Sequence, residues 1–444
     1  MKFEELREQY ETFIYKGYNI EKTEQSYNIT YNFNIENLET FNPKWSFPYS
    51  KEIDPKILDI LVFHLGMVEL ISYWKSACPK EIKINCGYLS NAQINFYNKL
   101  YFHGLGEFLY LNNIDITEEE LLTINPSNIK EEILIDNNTY DNILIPIGGG
   151  KDSVTSLEIL KNEKFYTFVI NNNQTTKNVI DLCTNKLGSI ETKRTLDKKL
   201  LDLNAKGYLN GHTPFSAMSA YSSVISAYLN GIKYITFSNE NSANESTVKD
   251  STVNHQYSKT IEFENDFRNN LKTIIDTDIE YLSLLRPLSE IQITSIFSKA
   301  KQYHEVFRSC NKGSKEGIWC TNCPKCLFVY IMLLPYLTNE ELINIFGEDL
   351  LNKESLEIYF KELCGISENK PFECVGTRSE VVASLKYYIE NNNSLLTDKY
   401  KDYLNNQPIS IKELLNDYNE EHNVNEYFEK LIKENLYEST RNFK

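Results

Sequence analysis

The chain has 444 residues, 41% of them hydrophobic, and a net charge of −16 at pH 7, a length that exceeds what one core usually supports and predicts two or three domains. The acidic balance is spread along the chain and repels phosphodiester backbones, which excludes nucleic acid as an expected partner, and the absence of any run of about 18 uninterrupted apolar residues excludes an expected membrane span. Nine cysteines, four of them clustered at metal-ligand spacing, read as thiolates of a reducing cytoplasm rather than a disulfide framework.

The opening segment, MKFEELREQYETF, is charged from Lys2 and lacks the apolar core of a signal peptide, in keeping with a cytoplasmic protein. Residues 27–34 alternate as a strand, and 55–75 keep apolar residues at three- and four-residue intervals as a helix. Thr117 to Glu120 fit a capping box ahead of a short helix, after which 125–142 is polar and turn-rich. Residues 1–135 therefore read as an N-terminal α+β domain. From Asn142 strands and helices alternate: strand 143–147, helix from Asp152, strand 165–170, helix 177–187, helix 214–229, strand 234–237, helix 289–303. Such alternation predicts an α/β fold with a doubly wound parallel sheet over 136–337. Residues 338–444 are polar and helical in pattern, a C-terminal region.

The strand at 143–147 empties into Gly148, Gly149 and Gly150, at the carboxyl edge where an open parallel sheet holds its ligand crevice. Glycines there allow positive φ and close backbone approach, while the following helix offers unpaired N–H groups and a positive dipole end to phosphate. Lys151 adds a point charge, Ser153 a hydroxyl donor, and Asp152 a carboxylate that a divalent ion can bridge to the phosphates. The spacing is not that of a Walker A loop, and three glycines before Lys-Asp-Ser exceed what a tight turn requires. The stretch "GGGKDS" resembles the PP-loop of ATP pyrophosphatases, usually serine-Gly-Gly-any-Asp-Ser, with Gly148 where that superfamily has serine. The resemblance implies a HUP-like domain that binds ATP through Gly148 to Ser153 and holds Mg²⁺ on Asp152.

Cys310, Cys320, Cys323 and Cys326 are spaced C-x9-C-x2-C-x2-C, a pattern that can close a tetrahedron of thiolates around Zn²⁺. Four protein ligands leave no open position, so the expected role is structural. Closely similar spacing holds zinc in 7-cyano-7-deazaguanine synthase, a PP-loop relative that this segment resembles. Cys78, Cys86, Cys183, Cys364 and Cys374 read as small packing residues.

Three polar stretches, 210–220, 237–247 and 253–260, carry amides, hydroxyls and titratable groups where a core would want none. His212 precedes Thr-Pro at a helix start, where packing near the cap competes with catalysis as its role. His255, among Asn254, Gln256, Tyr257 and Lys259, suits ligand contact or proton transfer. Glu240 can hold metal, act as a base, or be a solvated loop charge. Together with "HLGMVELISYWKSACP", "GLGEFLYLNNI", "RPLSEIQITSIFSKA" and "KPFECVGT", the segments "GHTPFSA", "SNENSANE" and "NHQYSK" make the chain resemble the MurL family of ATP-dependent epimerases over about residues 20–390.

That resemblance implies an isomerase of peptidoglycan precursor synthesis acting on UDP-N-acetylmuramoyl-L-alanyl-L-glutamate. Adenylating the terminal α-carboxylate, with release of pyrophosphate, makes its α-proton removable. Asp152 then serves the ATP step, and His255 is one proton-transfer group with Tyr257, His212 or Glu240 as its counterpart. Tyr73, Trp74 and Lys75 are candidates for nucleotide-sugar recognition, although aromatics at helical spacing more often belong to a core. Two other readings stand beside this one: an amide-forming PP-loop ligase akin to the deazaguanine synthase, and a nucleotide-binding regulatory protein.

Overall fold

The computed structural model describes residues 2–248, 251 and 253–441. Its strands are β1 (Thr12–Lys22), β2 (Ser26–Ile35), β3 (Glu39–Phe41), β4 (Lys44–Pro48), β5 (Glu81–Ile84), β6 (Thr123–Pro126), β7 (Leu134–Ile135), β8 (Asp141–Pro146), β9 (Phe165–Ile170), β10 (Lys186–Thr195), β11 (Ile232–Phe237), β12 (Ile275–Asp276) and β13 (Glu280–Ser283). Helices separate most of the later strands, and the class is α/β.

The chain divides into two compact units, each drawn from separated stretches. The first comprises Met1–Leu144, Ile190–Ile235 and Thr252–Tyr281. In it β1 and β2 form an antiparallel hairpin, β4 continues the sheet antiparallel to β2 and to β10, and β5 and β6 extend it in parallel on the side of β1. Strand β2 alternates as its period-2 pattern requires, with Tyr27, Ile29, Tyr31, Phe33 and Ile35 buried. Against this face packs the helix Pro55–Glu69, which Asp54 opens by accepting a hydrogen bond from the Lys56 N–H with Pro55 in the first turn. Gly66 permits close packing, because a Cβ there would stand 2.1 Å from the Tyr15 hydroxyl. By hydropathy the stretch Pro55–Trp74 is long and apolar enough to cross a membrane, but 94% of its apolar window is buried inside the protein. Tyr73 and Trp74 lie at its end with no exposure, Trp74 donating to the Pro79 carbonyl, so they are core rather than ligand surface.

The second unit comprises Ile145–Ser189, Thr236–Ser251 and Leu282–Lys444. Here the end of β8 runs beside β9, the Ile147 N–H donating to the Phe168 carbonyl, and the end of β11 is joined to the segment after β13 by the Leu284 N–H and the Phe237 carbonyl. The helix expected over 177–187 is instead Gln174–Asp181, followed by the long strand β10. Asn173 caps that helix earlier than the apolar spacing suggested, and "KLGSIETKRT" alternates in burial as a strand. The helix expected over 289–303 ends at Phe297, with a separate 3₁₀ turn at Lys301–Tyr303. The changes of pattern read at 135 and 337 do not coincide with the edges of the two units. Composition marks local pattern, whereas the units are set by contacts between distant stretches.

Candidate active site

Strand β8 delivers the glycine loop directly to the helix Lys151–Ile159. Gly149 adopts φ +80, and a Cβ there would meet the Thr175 methyl at 2.6 Å, so only glycine fits. Gly150 is also enclosed, its missing Cβ being 2.9 Å from the Ser309 hydroxyl. Gly148 differs: nothing lies within 4 Å of where its Cβ would stand, so the loop has room for the serine of the resembled motif. Gly150 brings no side chain of its own to the helix start, where the Lys151 N–H donates to the Ser309 hydroxyl at 3.1 Å and the positive dipole end faces the loop. Ser153 ties the loop to itself, its hydroxyl accepting from the Gly149 N–H at 3.2 Å and donating to the Gly150 carbonyl at 3.0 Å.

Lys151 is not a cation reaching out of the loop. Its side chain is fully buried, and its ammonium pairs with Asp152 Oδ1 and Glu290 Oε2. Glu290 begins the helix Glu290–Phe297, with Ser289 as its cap. Its backbone N–H donates to Glu380 Oε1 at 2.6 Å, while Glu380 Oε2 accepts from the N–H and hydroxyl of Thr377 at 2.8 Å. Burial raises the pKa of Glu290, and of Glu380 as well; on Glu290 the Lys151 charge opposes that rise while Asp152 and Glu240 reinforce it. For Lys151 burial works against the ammonium, but the adjacent carboxylates outweigh it and raise its pKa. Glu240 is buried nearby, its carbonyl accepting from Arg286 Nη1. Asp152 is the partly exposed carboxylate of the group, with the hard oxygens that Mg²⁺ takes.

The four predicted thiols converge. Cys323 caps the helix Pro324–Leu333, its Sγ accepting from the Cys326 N–H, and Cys310 accepts from the Gly313 N–H at 3.2 Å. Sγ separations of 3.4 Å (Cys323–Cys326) and 3.7 Å (Cys320–Cys326) approach the edge of about 3.8 Å that a tetrahedron with Zn–S bonds near 2.3 Å requires. The four soft donors Cys310, Cys320, Cys323 and Cys326 lie in an arrangement that fits zinc.

In the first unit, His212 and His255 meet on Glu107. His255 Nδ1 pairs with Glu107 Oε2, and His212 Nδ1 lies 3.4 Å from the same oxygen. The imidazole centroids are 4.6 Å apart. Burial and then the neighbouring His255 lower the His212 pKa to about 4. Lys75 holds the loop that carries His212, donating to the Gly211 carbonyl and, at 2.7 Å, to the Thr213 hydroxyl. Tyr257 lies in the same unit, stacked on His103 at 5.0 Å and edge-on to Phe263, with burial raising its phenol well above the ordinary range. A phenol so shifted is a poor base at neutral pH.

A family model described as "MurL N-terminal domain" matches residues 4–284, and one described as "MurL C-terminal domain" matches residues 306–406. The chain belongs to the MurL family. Curated relatives named UDP-N-acetyl-alpha-D-muramoyl-L-alanyl-L-glutamate epimerase are 34% identical in Micromonospora sp. (over 74% of this chain and 74% of the relative) and 33% identical in Xanthomonas oryzae pv. oryzae (71% and 71%). A third, from Salinispora tropica, is 33% identical over 72% of this chain and 71% of its own length. No solved structure matches.

Two side chains of this MurL-family chain escaped the sequence reading. Glu290 appears there only within "RPLSEIQITSIFSKA" and Glu107 only within "GLGEFLYLNNI", neither with a role. Their partners lie 139 and 148 residues away in sequence, beyond any local pattern.

Proposed function

We propose that the chain is an ATP-dependent epimerase of peptidoglycan precursor synthesis that inverts the terminal L-glutamate of UDP-N-acetylmuramoyl-L-alanyl-L-glutamate. The glycine loop carries this reading: in a chain of this family it opens onto a helix N-terminus with Asp152 in its first turn, a cradle suited to a nucleotide's phosphates. The segment from Gly148 to Ser153 cradles the triphosphate, and Asp152 holds Mg²⁺. When bound, the ion screens phosphate charge and steadies the pyrophosphate leaving group. Zinc on the four thiolates supports the fold around the helix Pro324–Leu333.

Activation is the physical reason an isomerase would consume ATP. The α-proton of a carboxylate is weakly acidic because its loss sets a second negative charge beside the first. Transfer of AMP to that carboxylate, with release of pyrophosphate, leaves a neutral acyl group that can carry the carbanion as an enolate. The pair His212 and His255 then supplies the proton acceptor; Tyr257 and Glu240 are less suited counterparts, the one for its raised pKa, the other for its burial. Hydrolysis of the acyl-adenylate frees the D-glutamyl product and AMP.

Incubating the purified protein with ATP and the UDP-linked dipeptide in D₂O tests this. The expected result is pyrophosphate release together with deuterium at the glutamyl α-carbon. Pyrophosphate release without exchange would favour an amide-forming ligase, and ATP binding without either would leave a nucleotide-binding regulator.

A further inference from the structure

An epimerase of this kind needs a group that takes the α-proton, held in one tautomer and one direction. Resting on the epimerase reading, we infer that Glu107 is the positioning residue of the proton-transfer centre, fixing His212 and His255 by their Nδ1 atoms through one carboxylate oxygen so that His212 presents Nε2 to the α-carbon.

The geometry is built from three segments of the first unit. Glu107 lies in the first turn of the helix Gly106–Leu111, His212 in the turn before the helix Phe215–Asn230, and His255 in the segment before the 3₁₀ turn Tyr257–Lys259. Gly211 lets them close, because a Cβ there would stand 3.1 Å from the Phe108 ring. Lys75 pins the carbonyl of Gly211 and the hydroxyl of Thr213, on either side of His212, and so fixes the direction in which that imidazole leaves the chain. The three side chains remain within reach of solvent, 12% exposed for Glu107, 15% for His255 and 21% for His212. Alongside, a groove of about 660 Å³ is lined by His103, Gly106, Tyr110 and Val253.

One carboxylate can compensate one imidazolium, and two charged imidazoles 4.6 Å apart would repel. Burial and the neighbouring His255 lower the His212 pKa to about 4, so His212 is neutral at neutral pH. His255 is in the tighter contact with Glu107, and His212 is the neutral ring able to accept a proton. With Glu107 Oε2 3.4 Å from His212 Nδ1, the carboxylate favours the tautomer that carries its proton on Nδ1 and the acceptor lone pair on Nε2. In the step itself the α C–H bond breaks, its proton passes to His212 Nε2, and its electron pair moves onto the activated carbonyl as an enolate. A proton of solvent origin then enters at the opposite face, and His212 returns its own to solvent.

The test uses full-length wild type, Glu107→Gln and His212→Ala with ATP and the UDP-linked dipeptide in D₂O. Glu107→Gln is expected to release pyrophosphate at the wild-type rate with unchanged KM, while α-deuteration slows about a hundredfold. Among the described residues, Glu107, His255, Lys75 and Lys259 are the charged groups that face His212. Removing the carboxylate among them lowers the imidazole pKa, so the acidic limb of the exchange profile moves to lower pH, which simple loosening of the fold does not produce. Exchange by His212→Ala is expected to recover with added imidazole. Should Glu107→Gln fail to fold, Glu107→Asp must show the same split between release and exchange. Wild-type exchange in either Glu107 variant would overturn the inference, as would failure of imidazole rescue or zinc that is bound by wild type and lost in Glu107→Gln. If the wild type itself neither releases pyrophosphate nor exchanges, the epimerase reading fails; an active wild type indifferent to Glu107 sinks only the positioning role.

Discussion

Lys151 and Glu290, 139 residues apart in the chain, form an ion pair in which both side chains are withdrawn from solvent. The pair joins the first turns of two helices, one following the glycine loop, and so couples the shape of that loop to a distant stretch of sequence.

Breaking this pair is expected to be asymmetric. Glu290→Ala removes one of the two carboxylates on a buried ammonium, leaving Asp152, and should cost about 1–3 kcal/mol of stability. Lys151→Met should cost less, because the carboxyl of Glu290, already raised by burial, can escape its charge by taking a proton. Urea unfolding midpoints of the two variants at pH 7 check the order.

The glycines of the loop should not be equivalent. Gly148→Ser meets open space and is expected to change stability by no more than about 0.5 kcal/mol and to preserve pyrophosphate release. Gly149→Ala forces a side chain into φ +80 against Thr175 and should cost about 1–3 kcal/mol. Thermal unfolding of both variants, with pyrophosphate assays, measures the contrast.

Asp152→Ala should abolish pyrophosphate release while leaving the fold intact by circular dichroism, since Asp152 is the partly exposed member of its cluster. Turnover undiminished by the change would remove the phosphate-binding role of the loop.

Cys323→Ser removes both a proposed thiolate ligand and the acceptor that caps the helix Pro324–Leu333. Metal analysis should find less bound zinc, and the unfolding midpoint should fall. A fully metallated variant of normal stability would exclude the four-thiolate site.

His64 supplies a pH dependence. Its ring is wholly buried, with Nδ1 2.7 Å from the Tyr97 hydroxyl, and burial lowers its pKa to about 3. Unfolding frees it to bind a proton below about 6.5, so the unfolded state holds more protons between those values and stability rises with pH there. The contribution is complete above the ordinary histidine pKa and is lost as pH falls toward 3, by up to about 1.4 kcal/mol per unit. Urea titrations of wild type and His64→Gln at pH 7, 5.5 and 4.5 should give a shallower pH slope for the variant.

Several elements were legible because their signals are local. The strand Phe165–Ile170 was bounded correctly by its apolar run, and the helix Phe215–Asn230 within a residue by the proline before it and the glycine after it. Strand β10 was missed because "KLGSIETKRT" is largely polar, and its alternation shows only once some of those positions are buried. The cysteines could be grouped beforehand since all four lie within seventeen residues, a span that short loops can fold back on itself.

By itself, then, the sequence determined the order of strand, triple glycine and helix, the close spacing of four thiols, and a family resemblance that the matching family models bear out. Tertiary structure alone decided that Lys151 turns inward to Glu290 and that Glu107 gathers His212 and His255. The physical reason is range. Backbone conformation and ligand spacing are set by neighbours along the chain, whereas the charge state and direction of a buried side chain depend on groups more than a hundred residues away that only folding brings within hydrogen-bonding distance.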